Sequence, residues 1–229
     1  MIKIDRASIQ KENILRNSFI LFKKNGYNKT TTREIALASG INKGLLHYYY
    51  KQKEDIIFEM YNNLLSGLFD FVDFKYKDKV SGLTYYAVLN ILFFRTISSR
   101  SYFLDTLSEI MLYRNLTRIK IEKSVESSYK IIKDYNIPIT EYQLFLAITV
   151  AVGAEAELLL SIKDGKLKMT YDKLATTINK LLFTMLKIGE REIKSINEES
   201  KVIADNIDIN DILDYLKNKY AWLKDEIVL

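Results

Sequence analysis

Residues 30–54 read Thr-Thr-Thr-Arg-Glu-Ile-Ala-Leu-Ala-Ser-Gly-Ile-Asn-Lys-Gly-Leu-Leu-His-Tyr-Tyr-Tyr-Lys-Gln-Lys-Glu. The stretch predicts two short helices joined by a tight glycine turn. Thr31 can cap the first helix with its hydroxyl while Glu34, three residues on, reaches back to the cap, so Thr-Thr-Arg-Glu reads as a capping box. Ile35 and Ala36 begin the buried face, and Ala36 is small enough to let two helices cross closely. Gly40 can take a positive φ without steric cost, which lets the chain reverse. Asn42 then restarts a helix as its N-cap. Ile41, Leu46 and Tyr49 are expected to face back onto Ile35 and Ala36, leaving Lys43, Gly44, Leu45, His47 and Tyr48 pointing outward.

Such an outward set suits a duplex. The first turn of the second helix can reach base edges in the major groove while its flanks meet phosphates. Lys43 can donate to guanine O6 and N7, Gly44 permits close backbone approach, and Leu45 can meet a thymine methyl. Thr31, Thr32, Arg33, His47, Tyr48, Tyr49, Lys51 and Lys53 complete the candidate DNA-binding set through contacts to the backbone. Charge points the same way. Residues 1–60 hold 11 Lys and Arg against 6 Asp and Glu, whereas residues 61–229 hold 23 of each. A basic segment joined to a neutral one is the electrostatic footprint of phosphate binding through counterion release. A solvated lysine-rich face would give the same imbalance without the motif.

These residues resemble the DNA-binding segment of the TetR-type one-component regulators of bacteria. The resemblance is carried by Phe22-x-x-x-Gly26-Tyr27, Thr31-Thr32-Arg33-Glu34-Ile35-Ala36, Ser39-Gly40-Ile41-Asn42-Lys43-Gly44 and Leu46 to Lys53, and covers roughly the first 60 residues. It implies that Lys43, Gly44 and Leu45 read bases while Thr32, His47, Tyr48, Tyr49 and Lys53 grip the backbone. It also implies a homodimeric repressor, released from a palindromic operator by an effector. His47 stands where the family usually has tyrosine, and Gln52 replaces the usual small helix cap before Lys53.

The remaining sequence predicts an all-α chain: a three-helix helix-turn-helix domain over 1–52, followed by a helical effector-binding and dimerisation domain over 53–229. One proline and 8 glycines in 229 residues, with 48% apolar content, favour long helices around a substantial core. Helices are expected over 8–25, from 53 past 68, over 83–97, 101–113, 114–135, 140–162 and 170–196, with an extra amphipathic helix over 205–229. That last helix would place Ile209, Leu213, Leu216, Tyr220, Leu223 and Ile227 on one face and Trp222 on the other, as an exposed anchor. By resemblance, 140–162 and 170–196 supply a four-helix dimer bundle. Small residues at Ala151, Gly153, Ala154 and Ala156 and a stripe through Leu174, Ile178, Leu181, Leu182 and Met185 agree with that use. An ordinary intrachain pair would look the same.

Within the second domain, Glu155 falls on the apolar stripe of Leu144, Ile148, Val152, Leu159 and Ile162 and needs a partner. Arg114 and Arg118 are the candidates, or could bind an anionic effector themselves. Phe93, Phe94, Tyr102, Phe103, Tyr113 and Tyr142 are further candidate effector contacts, against the simpler expectation that aromatic residues fill cores.

Enzymatic chemistry finds little support. There is no P-loop pattern, His47 is the one histidine, and Glu155 and Glu157 face different ways on a helix. Zero cysteines exclude disulfides and thiolate metal sites. No cofactor or metal is expected. No signal-like N-terminus and no uninterrupted apolar run of about 18 residues is present, so cytoplasmic residence without a membrane partner is the default. The expected partners are double-stranded operator DNA, a small-molecule effector and a second copy of the chain. The competing expectation is a helical dimeric interaction module that binds no operator.

Overall fold

The computed structural model describes residues 6–76, 80, 82–112, 114–134 and 138–228. Among them are eleven α-helices, one 3-10 segment and no strand, in agreement with the all-α expectation. In chain order they are α1 Arg6–Asn25, α2 Thr32–Ala38, α3 Lys43–Tyr49, α4 Lys53–Tyr76, α5 Gly82–Ser98 and α6 Ser101–Leu112. Then follow α7 Arg114–Asp134, α8 Glu141–Lys163, α9 Tyr171–Met185, α10 Glu190–Asp205, α11 Ile209–Lys219 and the 3-10 segment Ala221–Val228. The chain forms two compact units, one of Met1–Gly67 with Ile212–Leu229 and one of Leu68–Asp211. The first unit thus differs from the expected 1–52 domain in taking in much of α4 and the C-terminal segment.

The first unit is built on α1, whose Ile14, Leu15, Phe19 and Phe22 are buried. Gly26, at φ 80°, stops this helix and donates its N–H to the Phe22 carbonyl. The C-terminal segment corrects the sequence expectation. It is not one helix: α11 gives way to a tighter 3-10 turn, so a 3.6-residue wheel no longer assigns its faces. Trp222, expected outside, is 1% exposed and meets Phe19 edge-on at 5.3 Å between ring centroids. The Ile227 side chain lies outside the described residues.

In the second unit, α5 is buried nearly all round and packs against α9 and α10. Arg95 clasps these elements together. It binds Asp172 through two bonds of 2.8 and 2.6 Å, Asp205 at 2.6 Å and the Ala204 carbonyl at 2.9 Å. The hydrogen bond from Arg95 holds the Asp172 carboxyl below its ordinary value.

The expected helix over 170–196 is two helices. Lys187, at φ 62°, ends α9: its N–H bonds the Thr184 carbonyl and that of Ile188 bonds the Phe183 carbonyl, before Gly189 caps α10. Of the stripe assigned to a dimer interface, Leu174, Ile178 and Leu182 are 0–4% exposed where α9 packs on α5, α8 and α10, while Leu181 and Met185 are half-buried. The outward residues of α9 are Lys173, Lys180 and Thr184, with Thr177 half-buried.

Helix α8 is two-sided. Leu144, Ile148, Val152 and Leu159 are buried, whereas Tyr142, Phe145, Leu146 and Val150 are 74%, 50%, 43% and 38% exposed. By length and composition alone it is the one described helix that could cross a membrane. The buried Glu155 on its inner face pairs with Lys120 of α7, 3% exposed, rather than with the expected arginines. The helical period explains this: two residues along α7 turn the side chain through about 200°, so Arg118 is exposed where Lys120 is enclosed. The Arg114 side chain lies outside the described residues. Lys120 also sits 5.8 Å from the Phe93 ring centroid.

Candidate nucleic-acid interface

The capping box forms as the sequence predicts. The Thr31 hydroxyl accepts from the Glu34 N–H at 3.2 Å, and Glu34 accepts from the Thr31 N–H at 2.7 Å and from its hydroxyl at 2.8 Å. Hydrogen bonding to the Thr31 backbone, then to its side chain, holds the Glu34 carboxyl below its ordinary pKa. At the far end of α2, Gly40 lies at φ 65° and the Ile41 N–H bonds the Ala36 carbonyl at 3.0 Å. Asn42 then caps α3 through the Leu45 N–H at 2.8 Å. A Cβ on Gly44 would sit 3.3 Å from the Asn42 Oδ1, so this glycine relieves crowding at the cap as well as baring the backbone.

These contacts fix which residues face outward. Ile35, Ala36 and Leu46 are buried, while Thr31, Arg33, Lys43, Gly44, Leu45, His47, Tyr48 and Lys51 are exposed and Thr32 and Tyr49 are half-buried. The Tyr48 and Tyr49 rings meet edge-on at 5.4 Å. Sequence reasoning placed Tyr49 inside but missed Tyr50, which is 4% exposed and closes α3 through its N–H to the Leu46 carbonyl. Burial first, then the charge and hydrogen bonding of Glu59, push the Tyr50 hydroxyl well above its ordinary range.

Lys53 differs from expectation. Its ammonium donates to the carbonyls of Tyr27 at 2.7 Å and Thr30 at 2.9 Å, and lies 4.1 Å from the Tyr27 ring centroid. Thr30, 1% exposed, adds a hydroxyl bond to the Gly26 carbonyl at 2.9 Å. Lys53 therefore holds the turn between α1 and α2, with two of its donors engaged, whereas Lys51 is exposed. Gln52 proves a workable helix start, because its N–H is capped by Asp55 at 3.0 Å. Asn13 of α1 donates to the Ser39 carbonyl at 2.9 Å and so ties α1 to the end of α2.

Among the described residues, the candidate effector contacts divide between the core and the surface. Phe93, Phe94 and Phe103 are buried, and they and Tyr102 pair as Phe93–Phe94 at 5.4 Å and Tyr102–Phe103 at 4.5 Å, as core residues do. Tyr142 and Arg118 are exposed, Glu155 is occupied by Lys120, and Tyr113 lies outside the described residues. Arg118 borders a surface cleft of about 420 Å³ between α7 and α8, with Thr117, Ile121, Phe145 and Thr149 in its wall. No cluster of His, Cys, Asp or Glu able to hold a metal occurs among the described residues.

A capped short helix, a glycine turn and a second capped helix with a cationic, polar and aromatic outer face define a helix-turn-helix protein. Comparison with known proteins carries this further. Residues 14–60 match the model of the bacterial regulatory proteins of the tetR family. The chain is 48% identical over 52 residues to the transcriptional regulator QacR of Staphylococcus aureus, a match covering 23% of this chain and 28% of that protein. It is 32% identical over 71 residues to IcaR, a negative transcriptional regulator of the biofilm operon of Staphylococcus epidermidis, covering 31% and 38%. Among solved structures, Thermus thermophilus FadR, a TetR-family repressor with lauroyl-CoA bound, shares the fold. Its TM-score is 0.59 at 20% identity, over 77% of this chain and 93% of that one. The similarity to the tetR family of bacterial regulatory proteins thus rests on the N-terminal segment, residues 14–60. The matches span well under half the length of the two staphylococcal relatives.

Proposed function

We propose that the chain is a sequence-specific regulator of transcription, and not an enzyme, that binds a palindromic operator as a homodimer and is released by a small-molecule effector. The carrying observation is the outer face of α3, where Lys43, Leu45, His47 and Tyr48 are exposed on a helix both of whose ends are fixed by hydrogen bonds. Lys43, Gly44 and Leu45 read bases. Thr31, Thr32, Arg33, His47, Tyr48, Tyr49 and Lys51 contact phosphates, and Lys53 supports the turn beneath them.

Repression follows IcaR, named as a negative regulator, and a small-molecule effector follows FadR with its bound lauroyl-CoA. The effector can act only through its difference in affinity between the DNA-competent and incompetent states. The exposed apolar side of α8 is the surface offered to a second copy, with the half-buried Leu181 and Met185 of α9 beside the buried part of its stripe. Two copies must then set their recognition helices about 34 Å apart, or a multiple, to enter successive major grooves. Residence in the cytoplasm accompanies this role.

Selection of bound duplexes from a random pool, followed by salt titration, tests the reading. The expected result is an enriched inverted repeat and a steep fall of affinity with salt. Equal binding to all sequences at every salt concentration would leave a helical interaction module in its place.

A further inference from the structure

Resting on the DNA-binding reading, we propose that the C-terminal segment 209–228 is a positioning brace of the DNA-reading helices, and that operator recognition requires it to be docked. The family match ends at residue 60, and nothing in it accounts for this segment. Yet Ile212–Leu229 belongs with Met1–Gly67 as one compact unit. Four of its apolar side chains, Ile212, Leu213, Leu216 and Leu223, are 0–2% exposed, and Trp222 is as deeply buried.

The brace acts on α1. Trp222 packs edge-on against Phe19, and Glu12 accepts the Ala221 N–H at 3.2 Å. The neighbour of Glu12, Asn13, holds the Ser39 carbonyl at the end of α2. Contact with the C-terminal segment and contact with the helix-turn-helix thus fall on adjacent residues of one rigid helix. Base readout depends on hydrogen-bonding distances that a shift of about an ångström destroys, so a support of this kind sets specificity without touching DNA. The second anchor is Gly67 of α4. A Cβ there would lie 2.3 Å from Leu216 Cδ2 and 3.1 Å from Tyr220 Cε2, so any side chain at this position obliges those two side chains of the segment to shift.

The test uses the full chain and a duplex that the wild type selects from a random pool. The readout is the ratio of affinities for that duplex and for random DNA, at a temperature where circular dichroism shows each variant folded. Trp222→Ala is expected to lower the ratio at least tenfold. Trp222→Phe is expected to stay within about threefold, because it keeps a ring against Phe19 and the indole N–H makes no hydrogen bond among the described residues. Gly67→Ala loosens the brace without touching α1; it is expected to lower the ratio and to shift the emission of the chain's one tryptophan to the red. If Trp222→Ala does not fold, Gly67→Ala decides.

Linkage supplies an independent readout on the wild type. If DNA requires the docked brace, the selected duplex must slow trypsin cleavage after Lys217 and Lys219, since coupling is reciprocal. A folded Trp222→Ala or red-shifted Gly67→Ala with the wild-type ratio, or cleavage indifferent to the duplex, overturns the proposal. A wild type that selects no sequence overturns the DNA-binding reading itself, and that failure is visible before any variant is made.

Discussion

Lys43 and Lys120 are the same residue under opposite conditions. Lys43 stands exposed on the outer face of α3 and makes no hydrogen bond or ion pair among the described residues. Lys120, inside the second unit, is enclosed and spent on Glu155. The same contrast holds around them: Arg33, Lys43 and Lys51 are uncommitted near α3, whereas Arg95 holds Asp172 and Asp205 and Lys163 holds Asp105. A charge held in water without an internal partner keeps its capacity to neutralise phosphate, whereas a buried and paired one has no such capacity.

The most forceful way to break this contrast is to strip one partner from the buried pair. Lys120→Ala leaves Glu155 enclosed without its cation and is expected to cost about 3–5 kcal/mol in urea unfolding. The double variant Lys120→Met with Glu155→Leu should come out near neutral or more stable, by up to about 4 kcal/mol, because it removes both desolvation penalties. A single variant within about 0.5 kcal/mol of wild type would mean that the pair is solvated and the contrast false.

Lys43→Ala should do the converse. Folded stability is expected to stay within about 0.5 kcal/mol, as for other surface changes. Discrimination at one base pair of the selected operator should fall by about 1–3 kcal/mol, measured by competition with singly substituted duplexes. Equal loss on operator and random DNA would demote Lys43 from base contact to phosphate contact.

The helix stops show why one part of the fold was readable and another was not. Three helices end alike, with an N–H reaching back five residues: Ile41 to Ala36, Lys166 to Ser161 and Ile188 to Phe183. At the first two the left-handed residue is glycine, Gly40 and Gly165, and the stop can be read from its chemistry. At the third it is Lys187, a residue type that carries no such signal, so α9 and α10 were expected as one helix. Trp222 was misplaced for a related reason: α11 ends at Lys219, and Trp222 lies in the 3-10 segment beyond it, where a 3.6-residue wheel does not apply. The partner of Glu155 was chosen by sequence spacing among arginines, yet the choice depended on which face of α7 meets α8, a tertiary fact. The capping box, Gly40 and Asn42 were legible because each acts within a few residues of itself.

Lys53 sharpens the contrast from within the first unit, being a lysine of the basic segment that is nonetheless committed. Lys53→Ala removes two charge-assisted bonds to the Tyr27 and Thr30 carbonyls and the contact with the Tyr27 ring. A loss of about 1.5–3 kcal/mol in stability is expected, the range for a hydrogen bond to a charged group. Lys51→Ala should instead leave stability unchanged and reduce the slope of log affinity against log salt by about one. Should the two variants exchange these phenotypes, Lys53 is the phosphate ligand and its bonds to the turn are dispensable.

The smallest expected effect separates the two caps of the helix-turn-helix by pH. Glu34 is exposed, and its bonds to Thr31 hold its carboxyl below the ordinary 4.5. A lowered folded value means that its contribution is fully present above that ordinary value and is lost as pH falls through the folded one. Asn42 caps α3 with an amide, which does not titrate. Acidification below about pH 4.5 should therefore loosen the Thr31 amide, followed by hydrogen exchange, before the Leu45 amide changes, and Glu34→Gln should abolish the difference because glutamine accepts the same bonds without a proton. If both amides lose protection over the same pH range, the loosening is global and the carboxylate of the capping box has no separate part in holding α2.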